Sequence, residues 1–192
     1  MKVVIPAAGR GERFTRNGYN VPKPLMVAGG RPMVCWALDN ARLLGQPIVA
    51  LWHEDIDNFN ADDVVCEYCP DAEVVRIEER TEGAADTVAH MIRELPDQEF
   101  VTYPVDGFLG YDLRRWIEDA RRKNADASIL VERNARPQFS YALCDADMRI
   151  LRIAEKEVIS EWCILYYYCR STKAFVDAFE HMKAQNIRTN GE

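Results

Sequence analysis

Short apolar runs alternate along the chain with stretches in which apolar residues recur at helical spacing. Val3, Val4 and Ile5 form the first run. Further runs over 47–52, 73–77, 100–104, 127–131 and 162–168 predict strands, the one at 127–131 buried. A helix beginning at Arg31-Pro32 carries Met33, Trp36, Ala37, Leu43 and Leu44 and stops at Gly45; proline suits a first helical turn. Other helices are predicted over 55–68, through Val88, Met91, Ile92 and Leu95, through Leu113, Trp116, Ile117 and Ala120 behind Asp112, and over 173–183. Alternation from Tyr141 to Ile153 around Asp145-Ala146-Asp147 predicts a hairpin. Strand followed by helix, repeated, implies an α/β fold: a mainly parallel sheet with helices on both faces, in one domain spanning 1–192.

The first strand breaks into a loop carrying Gly9 and Gly11, and that loop is where chemistry concentrates. Glycines let a ligand approach the backbone with no Cβ in the way, so N–H groups can face phosphate oxygens. From Arg10 to Lys23 the cations Arg10, Arg13, Arg16 and Lys23 face one acid, Glu12, in a chain of formal net charge -7. This local positive excess marks an anion site or, less specifically, a solvated turn. It is not a GxxxxGK[ST] loop, and Phe14 stands where a dinucleotide GxGxxG needs its last glycine. Pro22 and Pro24 flank Lys23, which predicts a lysine preorganised on a stiff, extended backbone.

Composition narrows the classes. No apolar run approaches the roughly 18 residues of a membrane span, and Met1-Lys2 leads straight into a strand, so a cytoplasmic protein is expected. That setting predicts free thiols for all six cysteines, and Cys66-x-x-Cys69 lacks a second pair at zinc spacing. Without a basic stripe beyond the loop, nucleic acid is not an expected partner, and nothing in the pattern sets an oligomeric state. The three histidines suggest no nucleophilic triad.

The strand over 100–104 ends on Val105-Asp106-Gly107. In an open α/β sheet ligands lie beyond the carboxyl ends of the strands, where Asp106 would meet the Gly9 loop. A carboxylate there suits a magnesium ion (Mg2+) shared with substrate phosphates, or it caps the helix that follows. Glu155 and Lys156, taken by themselves, read as an exposed ion pair.

Strand, AAGxGxRF, GYxVPKPL and a helix beginning GxRPM resemble the signature of the nucleoside-diphosphate-sugar pyrophosphorylases, sugar-phosphate nucleotidyltransferases, and their small relatives. Thr81–Thr87 (TEGAADT), Val105-Asp106 and Ala154-Glu155-Lys156 extend the resemblance over almost the whole chain. It implies a Rossmann-like three-layer sandwich of the nucleotidyltransferase, glycosyltransferase-A-like type. It also implies attack by an acceptor phosphate on the α phosphorus of a nucleoside triphosphate, with pyrophosphate leaving. Position by position, Ala7, Ala8 and Gly9 would lie against the nucleotide, Gly11 and Arg13 on the β and γ phosphates, and Gly83 on the base. Lys23 would bridge the α phosphate and the incoming phosphate, with Arg13 and Lys23 as the catalytic pair. Asp106 would carry magnesium, and Glu155 and Lys156 would hold a small phosphorylated acceptor. The chain departs from the pattern at Glu157 and Leu165, where relatives carry proline and glycine, and the family's second metal-binding acid lies past a segment like Asn190-Gly191-Glu192. A nucleotide-binding relative without turnover, a phosphocholine cytidylyltransferase and a cofactor guanylyltransferase are the alternatives on the same fold.

Overall fold

The computed structural model describes residues 1–9, 11–107 and 111–187, with the Arg13 side chain outside that description. Strands β1 (Lys2–Pro6), β2 (Val27–Ala28), β3 (Arg31–Pro32), β4 (Gln46–Trp52) and β5 (Glu73–Ile77) fall in the first part of the chain. They are followed by β6 (Phe100–Thr102), β7 (Ala127–Arg133), β8 (Ser140–Cys144), β9 (Ile150–Glu155) and β10 (Trp162–Cys169). The helices are α1 (Glu12–Arg16), α2 (Met33–Arg42), α3 (His53–Phe59), α4 (Ala61–Tyr68), α5 (Ala84–Ile92), α6 (Leu113–Arg122) and α7 (Thr172–Ala184).

Val3, Val4 and Ile5 have no exposed surface, so β1 is apolar on both faces and must lie inside the sheet. It pairs in parallel with β4 on one side, Val4 opposite Ile48, and with β6 on the other, Val4 opposite Thr102. β5 adds in parallel outside β4. Beyond β6 the sheet turns antiparallel through β10, β8 and β9, and β7 also pairs with β10. The result is a mixed α/β sheet between helical layers. Alternation along β1 sends Val3 and Ile5 into one core with Leu38, Val101 and Trp116, and Val4 into another with Ile48, Val88 and Phe100.

Several local expectations need correction. The helix predicted from Arg31-Pro32 begins at Met33, because those two residues pair with Val27–Ala28 across a turn of positive-φ glycines, Gly29 and Gly30. Arg31 then lies 3.4 Å from the Trp36 ring and forms an ion pair with Asp39 at 2.6 Å, while Tyr68 donates to Asp39 at 2.8 Å. These contacts tie the small hairpin to α2 and α4. The helix predicted over 55–68 is two helices, starting at His53 and broken at Asn60, whose φ of 51° is left-handed and leaves the helical path. Pro-Lys-Pro is not extended: Lys23–Leu25 forms a 3-10 turn. The strand at 127–131 runs on to Arg133 and is only partly buried. The Asp145 hairpin is as expected, its carboxylate accepting from the backbone N–H of Asp147 and Arg149.

Gly45, between α2 and β4, is held by space alone. A Cβ there would lie 2.4 Å from the Met1 carbonyl oxygen, which β1 fixes. Gly45→Ala is therefore expected to destabilise the protein by about 2 kcal/mol, read as a lower urea midpoint at unchanged slope. Gly83→Ala, where a Cβ meets nothing within 4 Å, supplies the comparison.

Candidate active site

Because β1 and β6 are parallel neighbours, the loops leaving their carboxyl ends open on the same edge of the sheet. Leaving β1, Ala7 still donates to the Ala50 carbonyl at 3.1 Å, which holds the first step of the loop. At Gly9 an added Cβ would meet no atom within 4 Å, so its backbone borders open space. Gly11 has a φ of 58°, a conformation that favours glycine, and it caps α1 by accepting from Phe14 N–H at 2.8 Å. The 3-10 turn brings Lys23 back beneath this loop, 3.4 Å from where a Gly11 Cβ would stand. From there Lys23 Nζ reaches Asp106 Oδ2 at 2.7 Å. Gly9, Gly11, Lys23 and Asp106 thus line one cavity of about 730 Å³, together with Ala7 and Pro6.

A second cavity of about 270 Å³ shares Gly9, Gly11 and Lys23 and extends to the β4 side of β1, where Trp52, Asp55 and Arg80 line it. Arg80 sits 3.7 Å over the Trp52 ring and donates to the Ala8 carbonyl at 3.4 Å. Burial pushes the Asp55 carboxyl up to about 6, and Glu54 adds to the rise against the opposing pull of Arg80 and His53. No hydrogen bond or ion pair reaches that carboxylate among the described residues. A third, apolar cavity of about 250 Å³ lies beyond Asp106, between Val105, Gly107 and the Trp36 and Met33 side of α2. Trp52, Asp55 and Arg80 escaped the sequence reading. The signal for them was the rule already applied to Asp106, since Trp52 and Ile77 also end parallel strands.

The remaining expected positions are dispersed. Ala8 packs into the core with Val4 and Ile48 and does not line the described cavities. Gly83 caps α5 and accepts from Thr87 N–H at 3.1 Å, outside those linings. Glu155 and Lys156 sit at the end of β9, three places from β6 in the sheet order, and also line none of the three. They pair with each other at 3.5 Å, Ser140 hydrogen-bonds to Glu155, and Lys156 donates its backbone N–H to Phe139 at 3.0 Å. Arg10, the Arg13 side chain and Asn190-Gly191-Glu192 lie outside the described residues. Among the described residues no three His, Cys, Asp or Glu side chains cluster as a metal site, and no helix is long and apolar enough to cross a membrane.

The chain matches the MobA-like NTP transferase domain across residues 3–184. It belongs to that family. The chain is accordingly a nucleotidyltransferase. No curated protein matches its sequence. Among solved structures, a nucleoside-diphosphate-sugar pyrophosphorylase from Vibrio cholerae RC9 has a TM-score of 0.80 at 19% identity, covering 99% of this chain and 82% of its own. HddC from Yersinia pseudotuberculosis, in complex with GMP-PN, has a TM-score of 0.71 at 19% identity and coverages of 92% and 79%. A UDP-glucose pyrophosphorylase in complex with UDP-glucose has 0.72 at 15% identity, with 93% and 79%. At these identities the similarity is one of fold: the NTP-transferase sheet and its helical layers.

In the transferase, the raised pKa of Asp55 carries a sign. A carboxyl that binds its proton more tightly when folded, near 6 against an ordinary 3.8, loses stability for the folded state as pH rises through that interval. Asp55→Asn cannot ionise. The variant is expected to melt at a higher temperature than the wild type at pH 7.5 without ligand, with the gap shrinking as pH falls from about 6 toward about 4. A gap that stays constant with pH would mean that the ionisation of Asp55 is not its source.

Proposed function

We propose that this transferase joins a nucleoside triphosphate to a sugar 1-phosphate, or a comparable small phosphomonoester, and releases pyrophosphate. The observation that carries the reading is the 2.7 Å pair between Lys23 and Asp106 at the mouth of the glycine loop. One cation and one carboxylate meet where the backbone is open to phosphate. Nucleotide-bound neighbours of the same fold, one holding GMP-PN and one UDP-glucose, are consistent with that substrate class.

Both reactants are anions, so the site must neutralise their repulsion and hold them in line; no side-chain nucleophile is required. Gly9 would lie against the nucleotide, and Gly11 would present its backbone N–H to the β and γ phosphates, with Arg13 added from α1. Lys23 would exchange Asp106 for the phosphate oxygens and bind most tightly when charge accumulates at the α phosphorus. The triphosphate would lie across β1, with its base toward the β4-side cavity and Ala7 and Ala8 beside it through their backbone. Gly83, the cap of α5, is assigned to the base by family resemblance, although it lines none of the three cavities. The acceptor phosphate would enter from the side of the apolar cavity beyond Asp106. Glu155 and Lys156 are assigned to the acceptor by family resemblance, although they line none of the three cavities.

Asp106 suits magnesium in the way a single strand-end carboxylate does. Its side chain is 47% exposed toward the large cavity, and one carboxylate plus substrate phosphates is an ordinary ligand set for that ion. Bound there, magnesium would supply positive charge to the phosphates as pyrophosphate departs.

Pyrophosphate release with magnesium is the assay. Lys23→Ala is expected to lower turnover by about 100-fold or more, since losing one charged donor aimed at the transition state costs on the order of 3 kcal/mol. Asp106→Asn is expected to lose the stimulation by magnesium while nucleotide binding measured without metal persists. Near-normal turnover in Lys23→Ala would sink the assignment.

A further inference from the structure

The β4-side cavity holds an acceptor without a donor. Asp55 is partly buried, lines the cavity, and has no hydrogen-bond or ion-pair partner among the described residues. An ionised carboxylate has two oxygens and only accepts, and desolvating it unpaired is costly. Its placement is one source of the raised pKa already described. A ligand that brings two adjacent N–H groups would meet both oxygens and offset that cost.

The sheet order says which end of a nucleotide comes here. β4 and β6 flank β1 on opposite sides, and Asp106 leaves the β6 side. The two cavities share Gly9, Gly11 and Lys23. A triphosphate held over those shared residues, with its metal-binding end at Asp106, directs the nucleoside toward Trp52, Asp55 and Arg80. This step rests on the nucleotide-binding function proposed above.

We propose that Asp55 reads the base of the nucleotide and, with Arg80, selects guanine. Guanine presents N1–H and the 2-amino group side by side, which matches the two carboxylate oxygens. Uracil and thymine offer a single N–H between two carbonyl oxygens, which the carboxylate would repel. Adenine and cytosine offer an amino group beside a bare ring nitrogen, again an acceptor facing an acceptor. Arg80 complements this choice. Held 3.7 Å over the Trp52 ring and lining the same cavity, it carries planar donors suited to the O6 and N7 acceptors of guanine.

The test is calorimetric binding of GTP, ATP, CTP, UTP, inosine triphosphate and xanthosine triphosphate to the full chain with magnesium. GTP is expected to bind tightest. Inosine triphosphate, which lacks the 2-amino group, should bind about 10-fold or more weaker, the cost of one hydrogen bond to a charged acceptor. Asp55→Asn should lose the preference for GTP and gain affinity for xanthosine triphosphate, whose C2 carbonyl accepts from the new carboxamide N–H while N1–H still donates to its oxygen. A gained affinity cannot come from misfolding, and the GTP to inosine comparison needs no variant at all. Equal affinity for GTP and inosine triphosphate, preference for another base, or an unchanged rank order in folded Asp55→Asn would overturn the assignment of Asp55 while leaving the transferase reading intact. Failure of every triphosphate to bind the wild type would instead remove both.

Discussion

Everything in this molecule depends on β1 being paired on both sides. A strand with Val3, Val4 and Ile5 fully buried has no face for water and no edge to leave open, so β4 and β6 must flank it. Parallel pairing in both directions places three carboxyl ends on one rim. The Gly9 loop, the Trp52 corner and Asp106 are the residues that follow those three ends. The site is therefore a consequence of strand register, and the loops only shape what the register has brought together. The clash that a side chain at Gly45 would make with the Met1 carbonyl shows how tightly that register is held at the opposite end of the sheet.

The rim is charged in a way that favours ligand over fold. Lys23 and Asp106 neutralise each other at 2.7 Å, with Lys23 25% exposed and Asp106 47% exposed. An exposed pair of this kind contributes little to stability and exchanges partners readily. Asp55 goes further, since burial without a donor raises its pKa and works against the folded state at neutral pH. Structural carboxylates elsewhere in the chain show the opposite behaviour. Asp112 accepts from the Arg114 guanidinium at 2.9 Å and caps α6 by accepting from Arg114 N–H at 3.1 Å, and Asp97 accepts from Ser171 at 2.6 Å; both carboxyls are held below their usual range by these donors. The contrast separates carboxylates whose donors lie within the fold from one that has no such donor among the described residues.

Much of this was legible in the sequence, for identifiable reasons. Continuous apolar runs such as 47–52 announce buried parallel strands, and glycines at 9 and 11 with Lys23 and Asp106 announce the rim. What the pattern hid was local geometry. Asn60 splits one helical period into α3 and α4 because a single left-handed residue leaves hydrophobic spacing almost unchanged. Arg31-Pro32 looks like a helix start, yet Gly29 and Gly30 turn it into a strand pinned by Trp36 and Asp39. Periodicity also carries no information about which strands pair, so the antiparallel half of the sheet and the distance of Glu155 and Lys156 from the rim appear only in three dimensions. The strand-end rule could have pointed to the neighbourhood of Asp55, but an acid at the start of a helix reads as ordinary until its lack of donors is seen.

Following the label of each phosphorus decides whether an acceptor phosphate attacks the α phosphorus over the glycine loop. With nucleoside triphosphates labelled separately at the α and γ positions and a panel of sugar 1-phosphates and phosphocholine, a single outcome is expected. The α label passes into a new phosphoanhydride that joins the nucleotide to the acceptor phosphate, the γ label appears in pyrophosphate, and both need acceptor and magnesium. A γ label in orthophosphate or on the acceptor would place the attack at the γ phosphorus and rule out nucleotidyl transfer at this loop.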